Sequence, residues 1–444
     1  MTMKLASAAF FFAASATVSA FTPLSATRQS QVSSSPFSST SSLDAKKSKT
    51  KKTTSSSAGL SGFGSTTKSS STSTITVPID RSKAALNFYS YLSNNGAGTS
   101  LKRVGLGFFP FNAEDTEMGL RGVVALKTIA KGEILIEIPY ELAWNLGKEG
   151  SDPTLPGSIV LQEYCQWISG TEPSAAKKRD LRPYLEMLPP FGSDDVLGSS
   201  DFFGDEALAM LQSPQIVDET LSRRAKTEAR FERDVQPMME ISNNMFKWRD
   251  NEDITEEHLR WAVWLVTSRV LTVQGEAGSG DSFRLMIPLI DMCNHDRNSP
   301  HILTGRAVPG GTLKVIAGKT VEAGEQINIV YGHGVTGNDR FIQDYGFLDN
   351  FCNGDADAVT AKIFLGKGRI VDGAGATNGR PTLMPEDERE RALAALEETT
   401  LEEDVALLFT SGGEMANDVR TALEYRIGIK KALKKLGYGL ATEA

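Results

Sequence analysis

Apolar residues recur at helical spacing in several separate stretches of the chain. In one of them, Leu259, Val263 and Val266 fall on a single face, as in a helix that packs against a core. Near the C-terminus, Val419 and Leu423 repeat that pattern. The helices predicted from this spacing cover 85–93, 159–169, 181–189, 256–271, 390–398 and 415–436.

Shorter apolar runs, rich in Val and Ile and bounded by turn residues, predict β-strands. These runs occupy 123–126, 134–139, 283–291, 313–318 and 325–331. Because Lys131-Gly132 is a turn signal between the first two runs, we expect those runs to form an antiparallel pair. The order of short strands, a helical insertion, further strands and a helical tail predicts an α+β fold and disfavours a Rossmann sheet.

Charge is distributed unevenly along the 444 residues, whose net charge is -8. Residues 1–78 carry eight basic residues and one acidic residue, a balance of +7, so the remainder carries -15. An acidic body argues against nucleic-acid binding, because phosphate contact needs clustered Lys and Arg. The three cysteines cannot form a disulfide scaffold or a four-thiolate zinc site, and no metal site is predicted.

The N-terminal region reads as a targeting sequence. Lys4 precedes an apolar stretch that ends in small residues at Ala20, which is typical of a signal peptide over 1–20. Residues 21–78 are rich in Ser and Thr, with 27 such residues among the 50 positions from 26 to 75, and read as a disordered transit segment. Together they resemble a bipartite plastid presequence. The basic run 46–52 can also be interpreted as a nuclear signal. The alternative location is therefore the nucleus or the cytoplasm.

No apolar run of about 18 residues lies in the body of the chain, so no membrane contact is expected of the mature form. The glycine-rich stretch 275–282 lacks the Lys-Ser/Thr of a phosphate-binding loop and is predicted to be a surface loop. His258 and His333 have no partner at metal-ligand spacing and are predicted to be surface residues. Four lysines between 430 and 435 read as the charged end of a helix.

Polar residues that follow predicted strands are the candidates for chemistry. Asp291, Asn294 and His295 come directly after the apolar run LMIPLI, where side chains are rigidly placed. Alone, this cluster is better explained as a strand-end turn whose polar groups bond one another. Tyr331-Gly332 follows a second strand, and Tyr345-Gly346 comes 14 residues after it, which makes a binding site the better explanation for the whole set.

A set of motifs across residues 85–440 resembles the SET-domain methyltransferases, specifically the group typified by the RuBisCO large-subunit lysine methyltransferase. The motifs are GLRG (119–122), PYLEMLP (183–189), Ser268-Arg269, DMCNH (291–295), GEQINIVYG (324–332) and YGFLDN (345–350). The resemblance implies a SET fold of short β-sheets with a pseudoknot-like crossing. It places a SET domain at 79–350, a helical insertion at about 151–262, and a helical substrate-binding domain at 351–444.

The same resemblance implies a cofactor and roles for particular residues. The cofactor is S-adenosyl-L-methionine, and its implied binding residues are Gly119, Leu120, Arg121, Arg269, Asn294 and His295. The substrate-binding residues it implies are Asp291, Tyr331 and Tyr345, and the two tyrosines are also the catalytic residues. Two departures from the family pattern bear on substrate choice: the tyrosine motifs are two residues further apart than usual, and Val273 stands where the family tends to have a second Arg.

The implied activity is protein-lysine N-methylation, and the partner is a protein that presents a lysine side chain. RuBisCO large subunit or another stromal enzyme such as aldolase is the implied substrate class. Two alternatives remain open at this stage. Some relatives methylate histidine on the same fold, and a catalytically silent SET-fold binding module would bind cofactor or peptide without transferring a methyl group.

Overall fold

The structure of the chain is a computed structural model, and it describes eleven segments of the sequence. These are 77–110, 119–150, 152–170, 180–193, 199–241, 247–249, 252–332, 336–349, 355–370, 382–411 and 414–439. The predicted signal peptide and nearly all of the predicted transit segment lie outside the described residues, as does His333. No helix in the described segments has the length and apolar character needed to cross a membrane.

Short antiparallel strands form three separate sheets in the described part of the chain. The strands are β1 (Val104–Pro110), β2 (Gly119–Ala125), β3 (Ile134–Pro139), β4 (Trp144–Lys148), β5 (Leu271–Gln274), β6 (Ser282–Met286), β7 (Ile302–Gly305), β8 (Thr312–Ile316) and β9 (Gln326–Ile327). Their orders are β1-β2-β9, β3-β8-β7 and β4-β6-β5. Each sheet therefore joins strands from both sides of the helical insertion.

The expected pairing of the first two predicted runs is wrong. β2 pairs with β1, in a register that places Val104 opposite Ala125, whereas β3 pairs with β8. The Lys-Gly turn between them is present, and Gly132 adopts a left-handed φ of 87°. This turn carries the chain from one sheet into the next instead of closing a hairpin, because the Gly132 N–H donates to the carbonyl of Ala317, beyond the end of β8.

Helices make up most of the remaining described structure. They are α1 (Lys83–Leu92), α2 (Thr154–Ile168), α3 (Arg182–Leu185), α4 (Asp205–Met210), α5 (Pro214–Arg230), α6 (Gln236–Ile241), α7 (Glu256–Arg269), α8 (Asn338–Arg340), α9 (Asp355–Phe364), α10 (Glu386–Leu396), α11 (Leu401–Ser411) and α12 (Asn417–Lys435). All six helices expected from the spacing of apolar residues are present, although the one expected over 181–189 is only the four-residue α3. The N-terminus of α1 is capped by Ser82, whose hydroxyl accepts from the Ala85 N–H at 3.2 Å.

The buried apolar side chains of the described residues form two hydrophobic cores. The first packs the sheets against α1, α2 and α7 and includes the fully buried Trp261. The second contains Phe203 and Ile216 together with buried residues of α9, α10 and α12. The later part of the predicted insertion therefore shares a core with the C-terminal helices, which joins these two regions of the sequence by packing.

The sequence suggests that Lys430 belongs to the solvated, charged end of a helix, but the structure buries it. Its side chain is fully buried, and its ammonium donates to Asp404 at 2.7 Å and to the Thr399 carbonyl at 2.6 Å. Arg426 binds the same carboxylate at 2.6 Å. One face of α12 packs on α11, so a lysine on that face needs an acidic partner, and Asp404 provides it.

His258 is likewise buried and not a surface residue. Its Nδ1 accepts the Thr255 N–H at 3.0 Å, which caps the N-terminus of α7, and its ring stacks on Phe191 at 3.9 Å. Burial lowers the pKa of His258 to about 4, so the ring is neutral at physiological pH. A histidine at the third position of a helix can close a capping box in the way a glutamate does.

Candidate functional site

The site begins where the chain leaves β6. Leu289 adopts a left-handed φ of 74°, and a tight turn over Ile290–Met292 follows it. The next residues run parallel to the segment after β9: the Asn294 carbonyl accepts the Ile329 N–H at 2.9 Å, and the Asp296 N–H donates to the Ile329 carbonyl at 3.0 Å. This parallel bridge between His295 and Ile329 is the crossing of two chain segments on which the site is built.

Tyr331 lies just beyond this crossing and is held at both ends. Its hydroxyl donates to the Cys293 carbonyl at 2.6 Å, and its backbone N–H donates to His295 Nδ1 at 3.0 Å. Both acceptors belong to the segment that follows β6. The side chain is half-buried, and burial raises the pKa of its phenol, so the hydroxyl keeps its proton.

Tyr345 stacks on Tyr331, with ring centroids 4.9 Å apart and ring planes 27° apart. It ends a wide helical turn over Phe341–Tyr345, and Gly346 then reverses the chain with a left-handed φ of 83°. Phe347 lies 6.1 Å from the Tyr345 ring and 6.4 Å from the Tyr331 ring. The two additional residues between the tyrosine motifs therefore do not separate the two phenols.

The segment at the start of β2 meets the crossing through Asn294. The Asn294 amide donates to the Arg121 carbonyl at 3.2 Å, and the Arg121 guanidinium donates to the Met187 carbonyl. Gly122 leaves room for the Asn294 and Gln326 side chains in these positions, because a Cβ there would lie 2.8 Å from Asn294 Nδ2 and 2.5 Å from Gln326 Nε2. Leu120 is exposed on this segment.

Arg269 and Asp291 form the other side of the site. The Arg269 guanidinium donates to the Asp291 backbone carbonyl at 2.9 Å, and the Tyr184 hydroxyl donates to the Asp291 carboxylate. Burial raises the pKa of Asp291 to about 7, against an opposing effect of Arg269. Asp291 Oδ1 and Arg269 Nε are buried and have no hydrogen-bond partner in the described structure.

The structure brings all the predicted site residues into one connected region. Asn294 links Gly119, Leu120 and Arg121 to the crossing, and Arg269 and Asp291 adjoin it through the turn at Ile290–Met292. Sequence reasoning missed two contributors, Tyr184 and Asp349. Asp349 lies 3.4 Å from His295 Nε2, and each missed residue lies inside a quoted motif, PYLEMLP or YGFLDN.

Comparison with known proteins shows what the chain is similar to. A family model for the SET domain matches residues 120–332. The solved structure of the SET domain of LSMT bound to MeLysine and AdoHcy aligns with a TM-score of 0.50 and 17% identity, and the alignment covers 80% of this chain and 90% of that one. The predicted α+β SET fold with a helical C-terminal region is confirmed.

Among curated proteins, the chain is 27% identical over 288 residues to the actin-histidine N-methyltransferase of Rhinolophus ferrumequinum, covering 62% of this chain and 44% of that protein. It is 25% identical over 264 residues to the chloroplastic fructose-bisphosphate aldolase-lysine N-methyltransferase of Arabidopsis thaliana, covering 54% and 49%. The RuBisCO large subunit N-methyltransferase of Nicotiana tabacum is 24% identical over 298 residues, covering 62% and 53%. The chain spans about half the length of these relatives.

Proposed function

We propose that the chain is an S-adenosylmethionine-dependent protein N-methyltransferase whose acceptor is a lysine side chain. The observation that carries this proposal is the fixed pair of phenols. Tyr331 is tied to Cys293 and His295 by hydrogen bonds and stacks on Tyr345, at the crossing where Asn294 meets the start of β2.

The residues around the crossing fit the proposed cofactor. S-adenosylmethionine supplies an electrophilic methyl group on a sulfonium. Arg269, whose buried Nε has no partner in the described structure, suits the cofactor carboxylate. Backbone groups of Asn294 and His295 would hold the adenine. The segment Gly119-Leu120-Arg121 would lie along the methionine part, since Gly122 permits a close approach of the chain there.

The Tyr331 hydroxyl is oriented to receive an amine. Because its proton is donated to the Cys293 carbonyl, its oxygen lone pairs remain available to accept an N–H. A lysine ammonium, with an ordinary pKa of about 10.4, must lose a proton before its nitrogen can act as a nucleophile. The aromatic rings beside Tyr331 would lower that pKa by desolvating the cation, and the phenols would align the amine for transfer.

Asp291 is assigned to the substrate side of the site. Its carboxylate has one oxygen bonded by Tyr184 and one buried oxygen without a partner in the described structure. Such an oxygen suits a donor from the incoming substrate, because a buried acceptor without a partner costs free energy until it is satisfied. Tyr184 fixes which oxygen is available.

Histidine methylation is the second candidate, and the 27% identity to an actin-histidine N-methyltransferase favours it. The two candidates differ in the length and shape of the side chain that must pass the stacked phenols. Lysine is the better match to the stacked rings of Tyr331 and Tyr345, since a flexible aliphatic chain packs well along aromatic faces. Mapping of the methylated residue by mass spectrometry distinguishes the two.

A plastid location and a stromal substrate are part of the proposal. The basic, Ser-rich region 1–78 follows the composition of a plastid presequence, and two of the similar N-methyltransferases are described as chloroplastic. RuBisCO large subunit or aldolase is the proposed substrate class. A fluorescent fusion of residues 1–78 tests the proposed plastid location. Nuclear fluorescence would support the alternative location and a different substrate.

The division into a SET domain (79–350), an insertion (151–262) and a C-terminal substrate-binding domain (351–444) also remains a proposal. The core shared by Phe203, Ile216 and the C-terminal helices supports a substrate-binding region built from both the insertion and the tail. Deletion of the tail is therefore expected to expose apolar surface of the insertion.

The deciding experiment incubates the chain with radiolabelled S-adenosylmethionine and a stromal extract, followed by site mapping. A labelled protein with methyl groups on a lysine Nζ supports the proposal. Tyr331→Phe should abolish most labelling. Tyr140→Phe is the matched control, because Tyr140 lies outside the assigned site and its hydroxyl accepts from the exposed Asn145 side chain at 3.0 Å. Cofactor binding without any transfer would instead support the silent binding module.

A further inference from the structure

Both ring nitrogens of His295 face hydrogen-bond partners. Nδ1 accepts the Tyr331 N–H at 3.0 Å, and Nε2 lies 3.4 Å from Asp349 Oδ2. A backbone N–H only donates, so Nδ1 carries no proton and Nε2 carries the ring proton toward the carboxylate. The imidazole is therefore neutral and held as one tautomer, with its orientation set from both sides.

Asp349 is itself fixed by several groups. Arg297 Nε donates to its carboxylate at 2.7 Å, and the Asn338 side-chain oxygen accepts its backbone N–H at 2.8 Å. Burial alone would raise the pKa of Asp349, but hydrogen bonds from His295 and Arg297 outweigh that effect and lower it. The carboxylate is thus charged, fully buried and unable to rotate freely.

Asn338 extends this arrangement to the C-terminal helices. It is fully buried, and its side-chain NH2 donates to Asp357 of α9 at 2.7 Å. Asp357 packs closely on α12, where a Cβ on Gly428 would lie 2.6 Å from its carboxylate. Hydrogen bonds therefore run from His295 through the side chain and backbone of Asp349 to Asn338 and then to Asp357 in the helical tail.

We propose that Asp349 is a positioning residue for methyl transfer: it orients His295, and His295 in turn holds the backbone of Tyr331. This inference rests on the proposed function. Without the carboxylate, the His295 ring loses the partner that fixes Nε2, and the acceptor of the Tyr331 N–H becomes mobile. The phenol would then no longer keep its position, and a displacement of about 1 Å costs roughly a hundredfold in rate.

The test measures turnover and the acceptor-protein KM of the full chain for three variants. Asp349→Ala should lower kcat by about 10- to 100-fold, with KM changed by less than about threefold. Asp349→Asn should lie between wild type and Asp349→Ala, because the amide oxygen still accepts from His295 Nε2. If Asp349→Ala does not fold, Asp349→Asn carries the test, with kcat lowered at unchanged KM.

Ser100→Ala is the control. Ser100 is fully buried, and its hydroxyl donates to the Glu137 carbonyl and accepts the Glu137 N–H, both at 2.8 Å, outside the residues assigned to the site. This variant should lower the melting temperature and leave kcat per folded molecule unchanged. An equal loss of kcat in Ser100→Ala and in the Asp349 variants would overturn the proposal, because it would show a general effect on folding.

A second readout does not depend on methyl transfer. The chain has four histidines, so nitrogen NMR of the histidine-labelled protein resolves the rings, and the His295 signals are assigned by their loss in His295→Asn. Wild type should show a protected Nε2–H with an unprotonated Nδ1, and Asp349→Ala should lose that protection. Intact protection in Asp349→Ala would overturn the proposal. A wild type that binds no cofactor and transfers no methyl group would refute the proposed function while the NMR result still stood.

Discussion

The hydroxyl of Tyr331 donates to the carbonyl of Cys293 at 2.6 Å. This hydrogen bond joins the segment after β9 to the segment after β6. This bond directs the phenol proton away from any incoming amine and leaves the oxygen to act as an acceptor. The same residue is bound through its N–H to His295. The proposed chemistry needs such an orientation, since positioning is what the protein contributes to transfer from an already activated methyl donor.

Tyr331→Phe is expected to reduce turnover by about a hundredfold, because the variant keeps the ring and its stacking but loses the oxygen that orients the amine. Affinity for S-adenosylmethionine should change by less than about twofold, a difference of under ~0.5 kcal/mol. Steady-state kinetics and titration calorimetry measure the two quantities. Wild-type turnover in this variant would remove Tyr331 from its assigned role.

Gly122→Ala is expected to weaken cofactor binding by about tenfold or more, which corresponds to ~1.4 kcal/mol. The added methyl group would lie 2.8 Å from Asn294 Nδ2 and 2.5 Å from Gln326 Nε2, so both side-chain amides would have to move and Asn294 would lose its hydrogen bond to the Arg121 carbonyl. Gly150→Ala is the control, because a Cβ there meets nothing within 4 Å. Equal dissociation constants for both variants would show that the contact between Asn294 and β2 does not shape the cofactor site.

The raised pKa of Asp291 should make the stability of the folded chain depend on pH. Its pKa is about 7 in the folded chain, because of burial, and about 3.9 in the unfolded chain. Between those values the folded state binds more protons, so Asp291 contributes stability at low pH that is lost as the pH rises toward 7. Asp291→Asn should remove this slope, as measured by denaturant unfolding from pH 4 to pH 7.5. A difference between wild type and variant that is independent of pH would contradict this assignment.

Lys430→Met should lower the free energy of unfolding by about 1–3 kcal/mol, because Asp404 loses one hydrogen-bonded cation and keeps its ion pair with Arg426. Lys435→Met, at an exposed position of the same helix, should change stability by less than about 0.5 kcal/mol. Urea unfolding measures both variants. Similar small effects would mean that Lys430 is solvated, as the sequence alone had suggested.

Local patterns in the sequence predicted the helices well, because apolar spacing and packing agree in α1, α7 and α12. The pairing of β2 with β3 was predicted wrongly, since a Lys-Gly turn looks the same whether it closes a hairpin or connects two sheets. Lys430 was misjudged for a related reason. Its burial depends on Asp404, which lies on a different helix and has no signature in the sequence around the lysine.

The strand-end pattern predicted that Asn294, His295 and Tyr331 lie together, and the structure places them at one crossing, while their roles stay a prediction. Tyr184 and Asp349 were not predictable from their own neighbourhoods. The Tyr184–Asp291 contact spans 107 positions and the His295–Asp349 contact spans 54, so only the folded chain brings these pairs together. Residues that only hydrogen-bond to the site residues leave a weaker local pattern in the sequence than residues at the ends of strands.

The most direct test of the account is whether the purified chain, loaded with S-adenosylmethionine, transfers methyl groups to a lysine of a stromal protein. We predict labelled RuBisCO large subunit or aldolase, with mass spectrometry placing the methyl groups on lysine Nζ. Labelling should be nearly absent with Tyr331→Phe and retained with Tyr140→Phe. A chain that binds no S-adenosylmethionine in calorimetry, or methyl groups found only on histidine, would contradict the proposed lysine methyltransferase.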